Sequence, residues 1–379
     1  MINFSFSLKT QIYFGGGCIS NLRQEMKPYS RVLLVTGSGS VKKFGIYDEV
    51  VKELEGIEIF ELSGVKPNPT LDSVYQGIEI CRKNNVEFIL ALGGGSVIDA
   101  AKAIAAGVVY QGDVWELFLD NSKFTGALNT GCILTIAATG SESNKNSIIT
   151  NELTKEKLGL RRDELKPQFA ILDPKYTYTL PEKQTAAGIA DTMAHAFEQY
   201  FSPTKDSYLT DRMAESVMKT CIKFGPVLLN EPENYEARAE IMWASNIALN
   251  GILSCGKDTD WASHMIAHEL SANYDLTHGI ALAILFPNWM EQVFDETRKW
   301  KFEEYTVNVW GLSASEAKTS IIKTREFFNS LNLPDTLTKV SIDGQYFEQF
   351  AENVVRRGRT GSFKNLTKKD IISIYRRSL

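Results

Sequence analysis

The chain has 379 residues, of which 44% are hydrophobic and 23% charged, and its formal net charge is -5. This length allows two domains with separate cores, and the composition is that of a soluble globular protein. The net negative charge excludes a general nucleic-acid or anionic-membrane binder, because either requires a dense basic surface.

Five short apolar segments in the first half of the chain predict parallel β-strands. They lie at residues 31–37, 57–62, 88–94, 132–138 and 169–174, and amphipathic segments such as TLDSVYQGIEICRKNN separate them. This alternation is typical of βαβ units in a Rossmann-like sheet that is buried on both faces. In such sheets, ligands bind at the carboxyl ends of the strands.

The strand pattern ends near residue 180, and the remainder of the chain predicts helices. Thr179 as a cap and Pro181 in the first turn indicate the start of a helix. We therefore predict an α/β dinucleotide-binding domain at residues 1–179 and an all-helical domain at residues 180–379. A cleft between two such domains is the default place for chemistry.

A strand, three glycines and a helix start follow one another in FILALGGGSVIDAAKAIAAG. Gly94 and Gly95 allow a ligand to approach the backbone, and the free N–H groups of the first helical turn suit the pyrophosphate of a dinucleotide. Ser96 adds a hydroxyl group, and Asp99 lies one turn further along the helix. A turn that serves packing alone is the competing interpretation of such a short motif.

A second glycine-rich turn, in LLVTGSGSVKKFG, bears on the choice of cofactor. NAD-binding enzymes usually place a carboxylate on the adenosine ribose, where it would repel the 2′-phosphate of NADP. No acidic residue follows this strand, because Gly37, Ser38 and Ser40 stand there. Lys42 and Lys43 come next, and cations with hydroxyl donors favour NADP(H) over NAD(H). The alternative is that the lysines only solvate the start of a helix.

A third turn, ILTIAATGSESN, follows another predicted strand and carries Thr135 and Thr139. Both hydroxyl groups can reach a ligand at the edge of the sheet. Any one of the three turns can serve packing alone, but three of them at strand ends together predict a dinucleotide site.

The four histidines of the chain, together with one aspartate, predict a metal site in the helical domain. AAGIADTMAHAFEQYFS places Asp191 and His195 four residues apart, so both lie on one face of a helix. The other histidines are His264, His268 and His278. A lone histidine on an apolar face is usually a core residue, but four histidines with an aspartate in apolar surroundings suit Zn²⁺ or Fe²⁺.

The residues alone leave open which of the other three histidines bind the metal. His264 and His268 in DWASHMIAHEL have the spacing of the two ligands in an HExxH motif. Glu269 follows the second histidine instead of the first, so it would point off the shared face. His278 lies in the predicted loop YDLTHG beside Gly279, a position from which its ring can turn toward a site.

The N-terminal sequence and the cysteines predict a cytoplasmic location. MINFSFSLKTQIYF lacks the basic and apolar regions of a signal peptide, and no window approaches the roughly 18 apolar residues of a membrane span. The five cysteines are far apart and form no CxxC pair, which favours reduced thiols.

In combination, these motifs resemble the iron-containing (group III) alcohol dehydrogenases, and within them the butanol dehydrogenase-like, NADPH-dependent aldehyde reductase branch. The resemblance covers essentially the whole chain. The motifs that carry it are IYFGGGCI, GSGSVKKFGIYDEV, SGVKPNPTLDSV, LGGGSVIDAAKAIA, LTIAATGSESN, YTYTLPEKQTAAGIADTMAHAFEQY and HMIAHELSANYDLTHGIALAILFP.

The resemblance implies a dehydroquinate synthase-like architecture and a role for each candidate residue. The implied ligands of one divalent metal, Fe²⁺ or Zn²⁺, are Asp191, His195, His264 and His278. His268 matches a second-sphere histidine that relays protons beside the substrate. The implied cofactor contacts are Gly37, Ser38, Ser40, Asn68, Gly94, Gly95, Ser96, Asp99, Thr135, Thr139 and Lys157. The GSGS turn departs from the three glycines and serine usual in the branch, where this position selects NADPH.

The implied activity is hydride transfer between NADP(H) and a small aldehyde or primary alcohol by a homodimer, with the N-terminal strand FSFSLKTQIYF as a dimer contact. One alternative is a glycerol dehydrogenase- or dehydroquinate synthase-like enzyme of the same fold. A metal-dependent hydrolase acting on a nucleotide, with Glu269 or Asp275 as its base, is another. A catalytically idle nucleotide sensor is the third.

Overall fold

The computed structural model describes residues 1–379 and divides them into two compact units. The α/β unit is Ser7–Leu180. The helical unit is Pro181–Leu379 together with Met1–Phe6. The six N-terminal residues, which we predicted as part of the α/β domain, belong to the helical unit, where the backbone N–H of Ile2 donates to the carbonyl of Gly256 at 2.9 Å.

A six-stranded sheet with the order β1-β8-β5-β4-β2-β3 forms the centre of the α/β unit, and all of its neighbouring strands are parallel. Its strands are β1 Gln11–Phe14, β2 Arg31–Gly37, β3 Glu58–Val65, β4 Phe88–Gly93, β5 Asn129–Leu134 and β8 Phe169–Leu172. The central strand β4 is buried along its whole length, as expected for a parallel sheet with both faces covered. The predicted fold class, a Rossmann-like sheet followed by a helical unit, is confirmed.

The helices of the α/β unit connect these strands. They are α1 Leu22–Met26, α2 Ser40–Lys43, α3 Ile46–Glu53, α4 Leu71–Asn84, α5 Gly95–Val109 and α6 Trp115–Leu119. Helix α5 is rich in alanine, and 11 of its 15 residues are buried. It therefore packs closely on the sheet, directly after the loop that ends β4.

An antiparallel hairpin of β6 (Asn146–Asn151) and β7 (Glu156–Arg161) was absent from our prediction. The hairpin contacts the turn before α4, where the backbone N–H of Thr150 donates to the carbonyl of Pro69 at 2.9 Å. Its strands are short and contain asparagine, glutamate and lysine, which are depleted in strands.

The helical unit has nine α-helices. They are α7 Glu182–Tyr200, α8 Tyr208–Asn230, α9 Tyr235–Leu249, α10 Ala262–Tyr274, α11 His278–Val293, α12 Lys299–Trp310, α13 Ala317–Ser330, α14 Phe347–Arg356 and α15 Lys368–Arg377. Helix α7 begins after Pro181, which occupies the cap position that we predicted for Thr179. It packs against α8, α9 and α11 and is buried from Thr185 to Tyr200. None of the helices is both long and apolar enough to cross a membrane.

Candidate functional site

Helix α7 places three ionisable side chains on one buried face. Asp191, His195 and Glu198 follow one another at intervals of four and three residues, which is the spacing of neighbours on a helix surface. His195 Nε2 lies 3.9 Å from Asp191 Oδ1, and both side chains are about 95% buried (5% and 4% exposed). Because α7 lies at the centre of the helical unit, its polar face is enclosed by protein.

Helix α10 brings His264 to this face. The ring centroids of His195 and His264 lie 4.8 Å apart, and one donor atom each of Asp191, His195 and His264 fall within 4.8 Å of one another. Three side chains from two helices therefore converge on one point, as the sequence pattern predicted for a metal site.

His278 completes the group from the first position of α11, and not from a loop as we predicted. Its Nε2 atom lies 4.0 Å from Asp191 Oδ1. The next residue is Gly279, where a Cβ atom would overlap the backbone carbonyl of Ala187. A side chain at residue 279 would thus prevent the close approach of α11 to α7 that puts His278 beside Asp191.

These four side chains fit a divalent metal ion. An ion that binds nitrogen and oxygen at about 2.1 Å in a tetrahedral arrangement holds its ligand atoms roughly 3.4 Å apart. The distances of 3.9 Å and 4.0 Å from Asp191 Oδ1 to two histidine nitrogens are close to that spacing. One carboxylate and three imidazoles without cysteine suit Fe²⁺ or Zn²⁺.

His268 occupies a different position from His195 and His264. It lies one turn after His264 and is only half-buried. Its ring centroid is 5.2 Å from that of His278, and it is absent from the group of three whose donor atoms converge. The geometry therefore separates His264 from His268, which the spacing of four residues alone left open.

Glu198 is a residue of this site that our sequence analysis missed. Its Oε1 atom lies 2.8 Å from Nδ1 of His264, and burial raises the pKa of the Glu198 carboxyl to about 8. The spacing from Asp191 and His195 was a usable signal, because it continues the same helix face.

The two acidic residues considered as hydrolytic bases have other positions. Glu269 is buried and accepts hydrogen bonds from Arg357 at 2.6 Å and from Asn353 at 2.9 Å, so it anchors the segment around α14. Asp275 caps the C-terminal end of α10 in a left-handed conformation. Neither residue belongs to the group of converging donor atoms.

The glycine-rich loop after β4 is tightly packed against the third predicted turn. Gly94 caps the N-terminus of α5. A Cβ atom on Gly95 would overlap the side chain of Thr139, and one on Gly94 would lie 3.0 Å from Ile136. The backbone N–H of Thr135 donates to the carbonyl of Gly93 at 3.0 Å. The structure thus brings two of the predicted cofactor-binding turns together, with Ser96 in the first turn of α5.

Asp99, a predicted cofactor contact, also binds the chain itself. Its carboxylate accepts hydrogen bonds from Ser141 Oγ at 2.5 Å and from the backbone N–H of Ile148 at 3.1 Å. Desolvation raises the pKa of Asp99, although the Lys102 ammonium group opposes this shift. Asp99 therefore fixes the loop between β5 and β6 onto α5.

Lys102, which our sequence analysis missed, is wholly buried beneath the same loop. Its ammonium group donates to oxygen atoms of three residues: Ser141 O and Oγ at 2.6 and 2.9 Å, Asn144 O and Oδ1 at 3.0 and 3.2 Å, and Asn146 O at 2.9 Å. Burial lowers the pKa of Lys102 to about 8, and the charge of Asp99 opposes the shift.

The hairpin brings together two further predicted cofactor contacts. Lys157 of β7 donates from Nζ to Oδ1 of Asn68 at 2.8 Å. Asn68 has a left-handed backbone (φ 54°) in the turn before α4. These residues are far apart in sequence, and the unpredicted hairpin is the element that joins them.

The turn after β2 exposes Ser38 and Ser40 to solvent, beside Gly37. Lys42 does not simply extend into water, because its ammonium group binds Glu61 of β3 at 2.8 Å. Tyr47 also donates to this carboxylate. The local sequence contains no acid, but the fold brings one to the turn.

Comparison with known proteins identifies a family over nearly the entire chain. The family described as iron-containing alcohol dehydrogenase matches residues 9–174. The C-terminal domain of the Fe-containing alcohol dehydrogenase family matches residues 185–379.

Individual relatives cover the chain in full or almost in full. NADH-dependent butanol dehydrogenase A of Clostridium acetobutylicum is 47% identical over 388 aligned positions, which cover 100% of both chains. NADPH-dependent aldehyde reductase YqhD of Escherichia coli is 39% identical over 368 positions, with 95% of both chains covered. The crystal structure of NADH-dependent butanol dehydrogenase A from Thermotoga maritima matches with a TM-score of 0.96 and 38% identity, over 100% of this chain and 99% of that one.

Proposed function

The chain belongs to the iron-containing alcohol dehydrogenase family and is an NAD(P)-dependent enzyme, and on this premise we propose that it interconverts a small aldehyde and a primary alcohol with NADP(H). The observation that carries the proposal is the convergence of Asp191, His195 and His264, with His278 beside them. Three imidazoles and one carboxylate can hold a divalent ion, and a substrate oxygen would bind as a fifth ligand.

The residues of the helical unit have distinct roles in this proposal. Asp191, His195, His264 and His278 bind the metal. The bound metal supplies Lewis-acid polarisation of the carbonyl oxygen, and the nicotinamide supplies the hydride. His268, whose ring centroid lies 5.2 Å from that of His278, has the role that the resemblance implies. It exchanges the proton of the product alcohol, a task suited to imidazole near neutral pH.

The residues of the α/β unit hold the cofactor. Gly94, Gly95 and Ser96 present backbone and hydroxyl donors at the start of α5, where a pyrophosphate is favourably bound. Thr135 and Thr139 line the neighbouring turn. The roles of Asn68, Lys157 and Asp99 follow the resemblance: the first two contact the adenosine and ribose, and Asp99 contacts the nicotinamide side while it holds the loop.

NADP(H) is the proposed cofactor because the turn after β2 exposes Ser38 and Ser40 and is followed by two lysines. The two relatives differ in cofactor, since the Clostridium enzyme is named as NADH-dependent and the Escherichia enzyme as NADPH-dependent. The ratio of kcat/KM for NADPH and NADH decides between them. A ratio below one would contradict the proposal.

The proposed metal is Fe²⁺ or Zn²⁺, since both accept this ligand set. A homodimer is also proposed, as the resemblance implies. Strand β1 lies at the edge of the sheet, and the preceding residues expose Phe4 and Phe6 (55% and 41%). Exposed apolar side chains and an unpaired sheet edge are each a suitable contact for a second copy. Light scattering on purified protein tests the dimer, and a monomer at all concentrations would contradict it.

The central experiment follows NADPH oxidation with butyraldehyde, with and without a metal chelator. The proposal expects NADPH loss that requires both aldehyde and metal. No turnover across a broad aldehyde panel would contradict it, and release of phosphate from a nucleotide would favour the hydrolase. Reduction of dihydroxyacetone, but not of alkyl aldehydes, would favour the glycerol dehydrogenase-like alternative. In the same assay, His268→Ala should retain metal while kcat falls about 10²-fold, the usual contribution of a general acid or base.

A further inference from the structure

We infer that Glu198 is a positioning residue of the metal centre, which fixes the ring of His264 and the start of α10 in the geometry for metal binding. This inference rests on the proposed metal site, but it concerns a side chain to which neither the resemblance nor the comparisons assign a role.

The side chain of Glu198 orients the ring of His264. Glu198 Oε1 lies 2.8 Å from Nδ1 of His264 and accepts a hydrogen bond from the backbone N–H of the same residue at 3.0 Å. Oε1 already accepts the backbone hydrogen bond, so it is not the oxygen that would carry a proton on this carboxyl group. Nδ1 therefore donates to it, and the lone pair of the neutral ring lies on Nε2. One oxygen atom thus fixes both the tautomer and the rotation of the ring. A carboxylate behind a metal-binding histidine typically has this arrangement.

Glu198 also holds the backbone that leads into α10. The carbonyl of Glu198 accepts from the backbone N–H of Asp260 at 2.8 Å, so the main chain and the side chain of Glu198 both hold this segment. Trp261 has a left-handed conformation (φ 69°), which is costly for a bulky residue and persists only when its surroundings impose it. Three residues further on, the backbone N–H of His264 donates to the Glu198 side chain at 3.0 Å. The start of α10 is therefore formed around this one group.

The carboxyl group of Glu198 is buried without a cationic side chain beside it. Glu198 is fully buried, and the basic side chain within 4.0 Å of its carboxyl group is the neutral imidazole of His264. Burying a carboxylate without a strong cationic partner is costly. Glu269 of the same unit is equally buried but binds the guanidinium group of Arg357 at 2.6 Å. The two glutamates are thus a matched pair in burial: Glu198 contacts a metal-binding histidine, and Glu269 contacts Arg357 and Asn353.

The test compares Glu198→Gln with Glu269→Gln in the full-length, zinc-loaded protein. We expect zinc transfer to a chromophoric chelator to be about 10- to 100-fold faster in Glu198→Gln, the usual effect of removing the partner of a metal ligand. The cobalt-substituted variant should also show a changed visible spectrum. Glu269→Gln should release zinc at the parental rate even if it melts at a lower temperature. Equal release rates in the parent and Glu198→Gln, or equal acceleration in both variants, would overturn the inference.

A second measurement uses the unsubstituted protein and therefore does not depend on whether a variant folds. The chain has only four histidines, so ¹⁵N-histidine labelling gives a simple spectrum of the unsubstituted protein. The inference expects His264 as the Nδ1–H tautomer, and an Nε2–H tautomer would overturn it. Neither readout uses aldehyde reduction. A protein that binds zinc through His264 but reduces no aldehyde would therefore refute the proposed function and leave the role of Glu198 standing.

Discussion

Each unit of the molecule buries a group of charged side chains, and the two groups differ in their distances. In the α/β unit, the Lys102 ammonium group lies between 2.6 and 3.2 Å from five oxygen atoms, all within hydrogen-bond range. In the helical unit, Asp191 Oδ1 lies 3.9 and 4.0 Å from the nearest nitrogens of His195 and His278. The first group has the geometry of direct hydrogen bonds, and the second has that of ligands around an ion.

This difference separates a buried charge that holds a fold from one that serves a reaction. The oxygen atoms around Lys102 belong to a loop, so the ammonium group determines the shape of that loop. The side chains around Asp191 come from α7, α10 and α11, which are held in place by their own packing. Losing the first group should therefore mainly change stability, whereas losing the second should mainly change activity.

The largest expected effect is the loss of a metal ligand. His264→Ala and His278→Ala should each lose the metal and lower kcat/KM by about 10³-fold or more, because Lewis-acid stabilisation is worth several kcal/mol. Metal analysis and aldehyde reduction on the same samples measure both effects. The unfolding temperature of metal-free His278→Ala should stay near that of the metal-free parent, whereas His264→Ala also removes the partner of the buried Glu198 and should unfold at a lower temperature. His268→Ala is the control, and a metal-free His268→Ala protein would invalidate the division between the histidines.

The next effect is on stability and tests the other half of the comparison. Lys102→Met should lower the free energy of unfolding by about 3–5 kcal/mol, because removing one partner leaves buried polar atoms without compensation. Chemical denaturation measures this change. Lys83→Met on the exposed surface of α4 is the matched control and should alter stability by less than about 0.5 kcal/mol. Similar losses in both variants would show that the hydrogen bonds of Lys102 contribute little.

A smaller effect is expected where the two cofactor turns touch. Gly95→Ala places a Cβ atom against Thr139 and should weaken NADPH binding by at least about tenfold, since overpacking typically costs 1–3 kcal/mol. Fluorescence titration measures the Kd, and the metal content should not change. Gly107→Ala near the other end of α5 meets Ile78 just as closely. It should reduce stability while leaving the Kd within about twofold, and a parental Kd in Gly95→Ala would count against the loop as the pyrophosphate site.

The smallest effect concerns Glu61, which binds Lys42 beside the exposed serines. Glu61→Gln should free the ammonium group and raise the NADPH to NADH ratio of kcat/KM by about two- to fivefold, in line with the 0.2–1 kcal/mol of an exposed ion pair. Steady-state kinetics with both cofactors measures the ratio. Glu58→Gln, at an exposed position of the same strand, is the control. A fall in the ratio would indicate that Lys42 does not face the cofactor.

The sequence was sufficient to predict a strand or a site residue where burial of the segment determines which side chains it can carry. The central strands are buried on both faces, so continuous apolar runs revealed β2 and β4 to within a residue. Asp191 and His195 were identifiable because two polar residues four apart in an alanine-rich helix are costly unless they bind something. Both conclusions depend only on local pattern.

The sequence was insufficient where a property depends on contacts between distant segments. The hairpin is polar and short, yet it joins Lys157 to Asn68. In the sequence, nothing distinguishes Lys102 from an exposed lysine on a helix. Its burial depends on the loop at residues 139–146, which covers it in the fold. His278 follows a stretch that reads as a loop, but it is the first residue of α11, next to the close contact of Gly279 with Ala187.

The position of Met1–Phe6 has a consequence for the order of events during synthesis. These residues precede the α/β unit along the chain but belong to the helical unit, where Ile2 binds Gly256. Domains generally fold as units while the chain is made, beginning with the N-terminal one. The sheet of Ser7–Leu180 can thus form before the helices that residues 1–6 contact have been synthesised. The contacts of these early residues are therefore among the last to form, and they close the helical unit only when its own helices have left the ribosome.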